Sequence, residues 1–414
     1  MTQPLDLASL QSLDQDDPLR PFKDRFLIPD GVLYMNGNSL GPLTVDARQR
    51  LSDAVSSEWG EELIRGWNTA GWYDMPQRIG DKIGQLIGAK DGETLLCDST
   101  SINLFKAVSA ALSLTSGRKK IISESGNFPT DLYILDGLQS FLKGDYQVDI
   151  RPREQISNAI DNETAVVVLT HVHYVTGDIF PMKEITAKAH ECGALIVWDL
   201  SHSVGAIKTD LNDACADFAV GCGYKHLNGG PGAPAFIFAA KRHHKILRQP
   251  LSGWFGHVNP FAFTDDYTPA DDARRLLCGT TGVLGATALE AAIDLFLEID
   301  EAIRLEKLER MSRVFEGLVE ERCGSYGLIR VSPADPSARG AHLSYRHLDG
   351  YAIMQNLIDQ GVIGDFRAPD NLRFGLSPLF MGYEDLYEAA EILHGILETR
   401  SYKAEKYQVK QAVT

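Results

Sequence analysis

A series of apolar runs separated by one helical stretch constrains this chain more than anything else in it. Residues 165–171 (AVVVLTH) read as a strand, 182–192 as a helix stopped by Gly193, and 194–200 as a second strand, with 218–221 continuing the series. Strand, helix and strand in that order form a βαβ unit, whose strands lie parallel and are covered on both faces. Such a sheet demands a large core, and 414 residues with 44% hydrophobic content supply one. The expectation is an α/β fold with a mainly parallel sheet, whose ligands gather at the carboxyl ends of the strands. Thr170 and His171 end one strand, Asp199 ends another, and Tyr224 and Lys225 follow a third.

The flanking segments add candidates at similar positions. Residues 1–30 are polar, without a clear period, and are expected to be an arm. The stretch GVLYMNGNSLGPL (31–43) reads as a short strand entering a turn that carries Asn36, Asn38 and Ser39, suited either to lining a pocket or to a plain surface turn. Helical spacing covers 44–64 and 75–87, with Gly88 ending the second helix. Between them GWNTAGWYD places Trp67, Trp72 and Tyr73 in a loop. After an apolar run at 94–97, Ser99 and Thr100 open a helix, where hydroxyls cap free amides and the same amides attract phosphate. A strand at 120–124 and a helix from Pro129 repeat the plan, with Phe128 and Asp131 projecting from the turn. A hydrophobic staple with an acidic cap is the alternative there. Loops at 249–257 and 276–282 carry Trp254 and Thr280. A long amphipathic run, 286–319, reads as one connecting helix, and the alternation of strands and helices to residue 414 suits a smaller α+β domain. The expected division is an N-terminal arm and segment packing on the small domain (1–50), a large cofactor domain (51–285), and a connecting helix with the small domain (286–414).

The chemistry turns on Lys225, which sits in GCGYKHLNGGPG between two apolar runs, where a charged amine needs solvent, a partner or a covalent adduct. A formal charge of −16 opposes binding to nucleic acid or anionic membrane, so a small-molecule substrate is expected. Six scattered cysteines without a C-x-x-C pair suggest neither a zinc site nor a disulfide framework, and no apolar run reaches the roughly 20 residues of a membrane span. The expected setting is cytoplasmic. Asp199, ending one strand, and Lys225, 26 positions on, match what a pyridoxal phosphate enzyme requires: a Schiff-base lysine and a carboxylate that keeps the ring nitrogen protonated. Ser99 and Thr100 offer a phosphate cup and Phe128 an aromatic over the ring. A dinucleotide fold is disfavoured because no strand leads through G-x-G-x-x-G into a helix, and a zinc hydrolase because H-E-x-x-H is absent.

On GNSLG, GWNTAGW, DSTSINLFK, NFPTDLY, LTHVHYVTG, WDLSHSVGA, YKHLNGGPG, PLSGWFGH, CGT and RFGLSPL, the chain resembles the kynureninase family of fold-type I pyridoxal phosphate enzymes, related to class V aminotransferases. The resemblance spans nearly the whole chain and implies hydrolysis of L-kynurenine to anthranilate and L-alanine. It implies that Lys225 is the Schiff-base lysine and proton shuttle, that Asp199 holds the pyridine nitrogen with His202 nearby, and that Tyr224 moves protons. Phe128 would stack on the ring, Asp131 would join the cofactor's hydrogen-bond network, and Thr170 would lie beside the ring. Ser99, Thr100, Tyr224 and Trp254 would contact the phosphate, with Thr280 reaching across a homodimer interface. Arg373 would clamp the substrate carboxylate, with Asn36, Trp67 and Gly279 completing the substrate set. His173, Asn36 and His226 depart from the family pattern. An aminotransferase, a cysteine desulfurase and a cofactor-binding protein without turnover are the rival readings, and the choice between kynurenine and its 3-hydroxy analogue stays open.

Overall fold

A computed structural model describes residues 5–409. The chain forms two compact units. The smaller holds the described residues up to Asp46, then Tyr174–Ile179 and the described residues from Leu295 onward; the larger holds Ala47–His173 and Phe180–Asp294.

The larger unit is built on a seven-stranded sheet: β2 (Thr94–Leu96), β3 (Lys120–Glu124), β4 (Gln147–Arg151), β5 (Thr164–Thr170), β6 (Leu195–Asp199), β7 (Phe218–Gly221) and β8 (Phe236–Ala239). Their spatial order is β2-β8-β7-β6-β5-β3-β4. From β7 to β4 all neighbours are parallel, while β8 runs antiparallel to both β7 and β2. Every residue of β5 is buried, as its unbroken apolar run requires of a strand covered on both faces. The helices Thr100–Leu114, Pro129–Phe141 and Met182–Glu191 make the crossovers. Because β4 and β5 flank β3 on opposite sides, the strand order reverses direction there, and a crevice opens at the carboxyl ends of β3 and β5.

The opposite end of this sheet, at the amino ends of β6 and β7, is held by a buried carboxylate. Asp217, 1% exposed, accepts from His190 and His243 at 2.8 Å, from Arg242 at 2.6 Å and from the Ile196 amide at 3.0 Å. Burial works against its charge, but the two imidazoles and the guanidinium outweigh it and hold the carboxyl far below the usual range. A depressed folded-state pKa means the stabilisation is present above the unfolded value near 4 and is lost as pH falls below it. Asp217→Asn should cost about 3 kcal/mol at neutral pH, a cost that shrinks only as pH falls well below 4 toward the low folded-state value, which denaturant titration at neutral and acidic pH checks.

The smaller unit carries the antiparallel sheet β12-β13-β10-β9, formed by β9 (Ile329–Arg330), β10 (His342–Arg346), β12 (Asp365–Arg367) and β13 (Asn371–Gly375). Beside it β1 (Leu33–Tyr34) pairs in parallel with β11 (Val362–Ile363), which ties the N-terminal segment to this unit. Three local expectations change. The N-terminal arm contains a helix, Leu7–Gln15, capped by the Asp6 side chain at the Ser9 amide. The helix from residue 44 ends at Asp53, passes into a wider turn (Ala54–Trp59) and stops before Leu63, whose φ is 54°. The single helix over 286–319 is two, Val283–Leu297 and Glu301–Cys323, because Asp300 accepts from the Ala302 and Ile303 amides and so starts a new helix inside an apolar period that continues through the break.

Candidate active site

The carboxyl ends of the parallel strands carry the chemistry-bearing side chains. Asp199 is the last residue of β6 and Thr170 the last of β5. Beyond β7 the chain turns through Gly223, where an added Cβ would lie 2.5 Å from the Pro234 carbonyl, and this close passage delivers Tyr224 and Lys225. Lys225 Nζ lies 3.0 Å from His202 Nε2 and 5.7 Å from the centre of the Phe128 ring. Among the described residues no carboxylate is within ion-pair distance of this amine.

Two carboxylates lie deep beside it. Asp199 accepts from the Ser201 amide at 2.8 Å and from its hydroxyl at 2.6 Å. Asp131, in the first turn of the Pro129 helix, is 3.3 Å from the Thr170 hydroxyl, which also bonds Asn127. Burial raises the pKa of Asp199, opposed by Ser201 and Lys225. Burial and then the Asp199 charge push Asp131 well above the usual range, only partly offset by Thr170 and Asn127. Two buried acids that resist sharing negative charge suit a cationic ring nitrogen, and a lysine amine without a counter-ion suits an aldehyde. The donor set therefore fits pyridoxal phosphate.

The remaining cofactor candidates fall on neighbouring loops of the same unit. Ser99 caps the Thr100 helix at the Ile102 amide, and Ser101 lies 3.4 Å from Thr130, joining the starts of the Thr100 and Pro129 helices. Gly253, just before Trp254, packs so tightly on the Cys278 carbonyl that a Cβ would lie 2.0 Å from it. The Trp254 loop and the segment holding exposed Gly279 and Thr280 are thereby placed together. Trp67, Trp72, Tyr73, Trp254, Phe255 and Phe261 form a continuous aromatic cluster around Phe255, whose ring centre is 4.6 Å from that of Trp254 and 6.2 Å from that of Trp67.

Arg373 and Asn36 belong to the smaller unit. Arg373 is 1% exposed on β13; its Nη2 pairs with Asp365 directly across the sheet and also donates to the Ser39 hydroxyl, at 3.0 Å, while Nη1 donates to the Tyr174 carbonyl. Its Nε has no partner among the described residues. Burial lowers the guanidinium pKa against the pull of Asp365. The Asn36 segment runs alongside, since the Gly375 amide donates to Met35 O at 2.7 Å.

Sequence reasoning passed over Asn127, Ser201 and Asp365. Asn127 and Ser201 adjoin chosen residues inside the motifs NFPTDLY and WDLSH, so proximity was the available signal; Asp365 offered none, because its role depends on cross-strand register. His173 Nε2 bonds the Gly126 carbonyl at 2.9 Å, and His226 meets His202 edge to face with ring centres 6.2 Å apart.

This architecture is that of the fold-type I pyridoxal phosphate enzymes. Solved structures with the same fold include a cysteine desulfurase from Thermococcus onnurineus (TM-score 0.75, 16% identity, 96% of this chain and 99% of that one) and a cystine C–S lyase (TM-score 0.74, 15% identity, 88% and 98%). The sequence narrows the class. The kynureninase of Pseudomonas fluorescens is 44% identical, over 97% of this chain and 98% of its own, and that of Burkholderia pseudomallei strain 1106a is 46% identical over 97% and 98%. Residues 305–393 match the Kynureninase C-terminal domain family. The chain belongs to the kynureninase family, and its cofactor is pyridoxal phosphate.

Proposed function

We propose that Lys225, Asp199 and Tyr224 carry the hydrolysis of L-kynurenine to anthranilate and L-alanine, a step of tryptophan catabolism. The observation that carries this reading is the Lys225 amine, without a counter-ion, between His202 and the Phe128 ring and beside the buried Asp199–Asp131 pair. Bound there, pyridoxal phosphate supplies the electron sink for charge left at the substrate α-carbon. Lys225 Nζ takes the α-proton and returns a proton, while Asp199 holds a proton at the ring nitrogen. Asp131, Thr170 and Phe128 would hold the cofactor ring. Tyr224 moves protons as water adds to the γ-ketone, and cleavage of the Cβ–Cγ bond then leaves anthranilate and alanine. Ser99, Thr100 and Trp254 hold the phosphate, with Thr280 reaching across the dimer interface, His202 steadies the amine, and the larger unit is the cofactor domain.

Arg373 binds the α-carboxylate, supported by its burial, its unpartnered Nε and a planar fork suited to two oxygens. Arg373→Lys should raise KM for kynurenine about 30-fold with a smaller fall in kcat, as steady-state kinetics read. Asn36, Trp67 and Gly279 complete the substrate set. The chain works as a cytoplasmic homodimer, a reading supported by the exposed side chains of Trp59, Leu63, Ile64, Phe261 and Phe263, which sedimentation tests. Anthranilate fluorescence on mixing enzyme with kynurenine tests the reaction, and its absence with the cofactor bound overturns it. The same assay with 3-hydroxykynurenine fixes the preferred substrate.

A further inference from the structure

The Thr100 helix carries a lysine into the core. Lys106 is fully buried, with Nζ against the Asp98 carboxylate and 2.7 Å from the Leu276 carbonyl. Burial opposes its charge, but Cys97 and Asp98 outweigh this and raise the amine above its ordinary value. It is therefore a cation clamping two segments distant in sequence.

Both segments lead to phosphate candidates. Asp98 immediately precedes Ser99 and Thr100, and its φ of 50° lies in the left-handed region, which costs a non-glycine residue about 1 kcal/mol or more. Its carboxylate is held by Lys106 and its carbonyl accepts from the Ala235 amide at 2.9 Å. Leu276 lies two residues before Cys278, in the segment that carries Gly279 and Thr280. Beyond Thr280 the Thr281 hydroxyl donates to the Leu96 carbonyl at 3.4 Å, so the loop is fixed at both ends to the junction of β2 and the Thr100 helix. The Trp254 loop is locked to the same segment through Gly253.

We infer that Lys106 is a positioning residue for the cofactor's phosphate: its ammonium fixes the Ser99–Thr100 turn against the Leu276 segment without itself meeting the phosphate. This rests on reading Ser99 and Thr100 as phosphate contacts. The test compares the affinity of apoenzymes for pyridoxal phosphate and for pyridoxal, which lacks the phosphate but keeps the aldehyde for Lys225. Lys106→Met should weaken pyridoxal phosphate binding about tenfold, the scale of one lost charge-assisted hydrogen bond, and change pyridoxal binding by less than about twofold. A mainly structural lysine would weaken both ligands together or neither, and either result overturns the inference. Asp98→Asn removes the same tether from the partly exposed partner; it carries the same expectation should Lys106→Met not fold. The double variant Ser99→Ala, Thr100→Val tests the underlying assignment. If it fails to discriminate between the ligands, the phosphate reading falls; if it discriminates and Lys106→Met does not, only the Lys106 inference falls.

Discussion

Lys225→Ala is expected to abolish kynurenine cleavage, lowering turnover by about 10⁴-fold or more, and to remove the visible absorbance of lysine-bound cofactor. The expectation follows from the amine's surroundings. A buried structural lysine normally has a carboxylate within 4 Å, as Lys307 has Asp17 at 2.6 Å. Lys225 instead faces an imidazole nitrogen at 3.0 Å and an aromatic ring, neither of which neutralises it. No ion pair therefore holds the amine away from a bound aldehyde. His202 is within reach but cannot form the covalent link, so it offers no rescue. Spectra of the reconstituted variant, recorded beside an anthranilate assay, check both effects, and a surviving visible band would show that another residue anchors the cofactor.

Asp199→Asn carries the second large effect. An asparagine keeps the hydrogen bond from Ser201 but loses the negative charge that stabilises a protonated ring nitrogen, so kcat should fall about 10³-fold. Asp131→Asn should cost about tenfold, because Asp131 is the acid that gives up its charge when both are buried together. The two variants also report on the apoenzyme. Both carboxyls have raised folded-state pKa values, so their contribution is full below the unfolded value near 4 and is lost as pH rises through the folded values. Apoenzyme with asparagine at either position should therefore melt higher than the unmodified apoenzyme at pH 8, with little difference at pH 4. Equal melting temperatures at pH 8 would mean that the acids are not in conflict. A kcat loss for Asp199→Asn no larger than that for Asp131→Asn would reverse their roles.

The sequence by itself determined the local elements and the ends of the strands. The short β-branched apolar run Ala165–Leu169 reads as a doubly covered strand, and glycines such as Gly88 and Gly193 supply the positive φ that stops a helix. Those signals are short-ranged, which is why Asp199, Thr170 and Lys225 were legible at strand ends. Only the tertiary structure decided what depends on register and distance. β8 runs against its neighbours, an orientation that four apolar residues do not encode. Asp365 meets Arg373 across a strand pair, and Lys106 reaches Leu276 from 170 residues away. The Asp131–Asn127–Thr170 arrangement arises because the strand order reverses beside β3, bringing together side chains that sequence places about 40 residues apart. Hydrogen bonds and buried charges act through space over a few ångströms, whereas periodicity records only which side of an element faces the core.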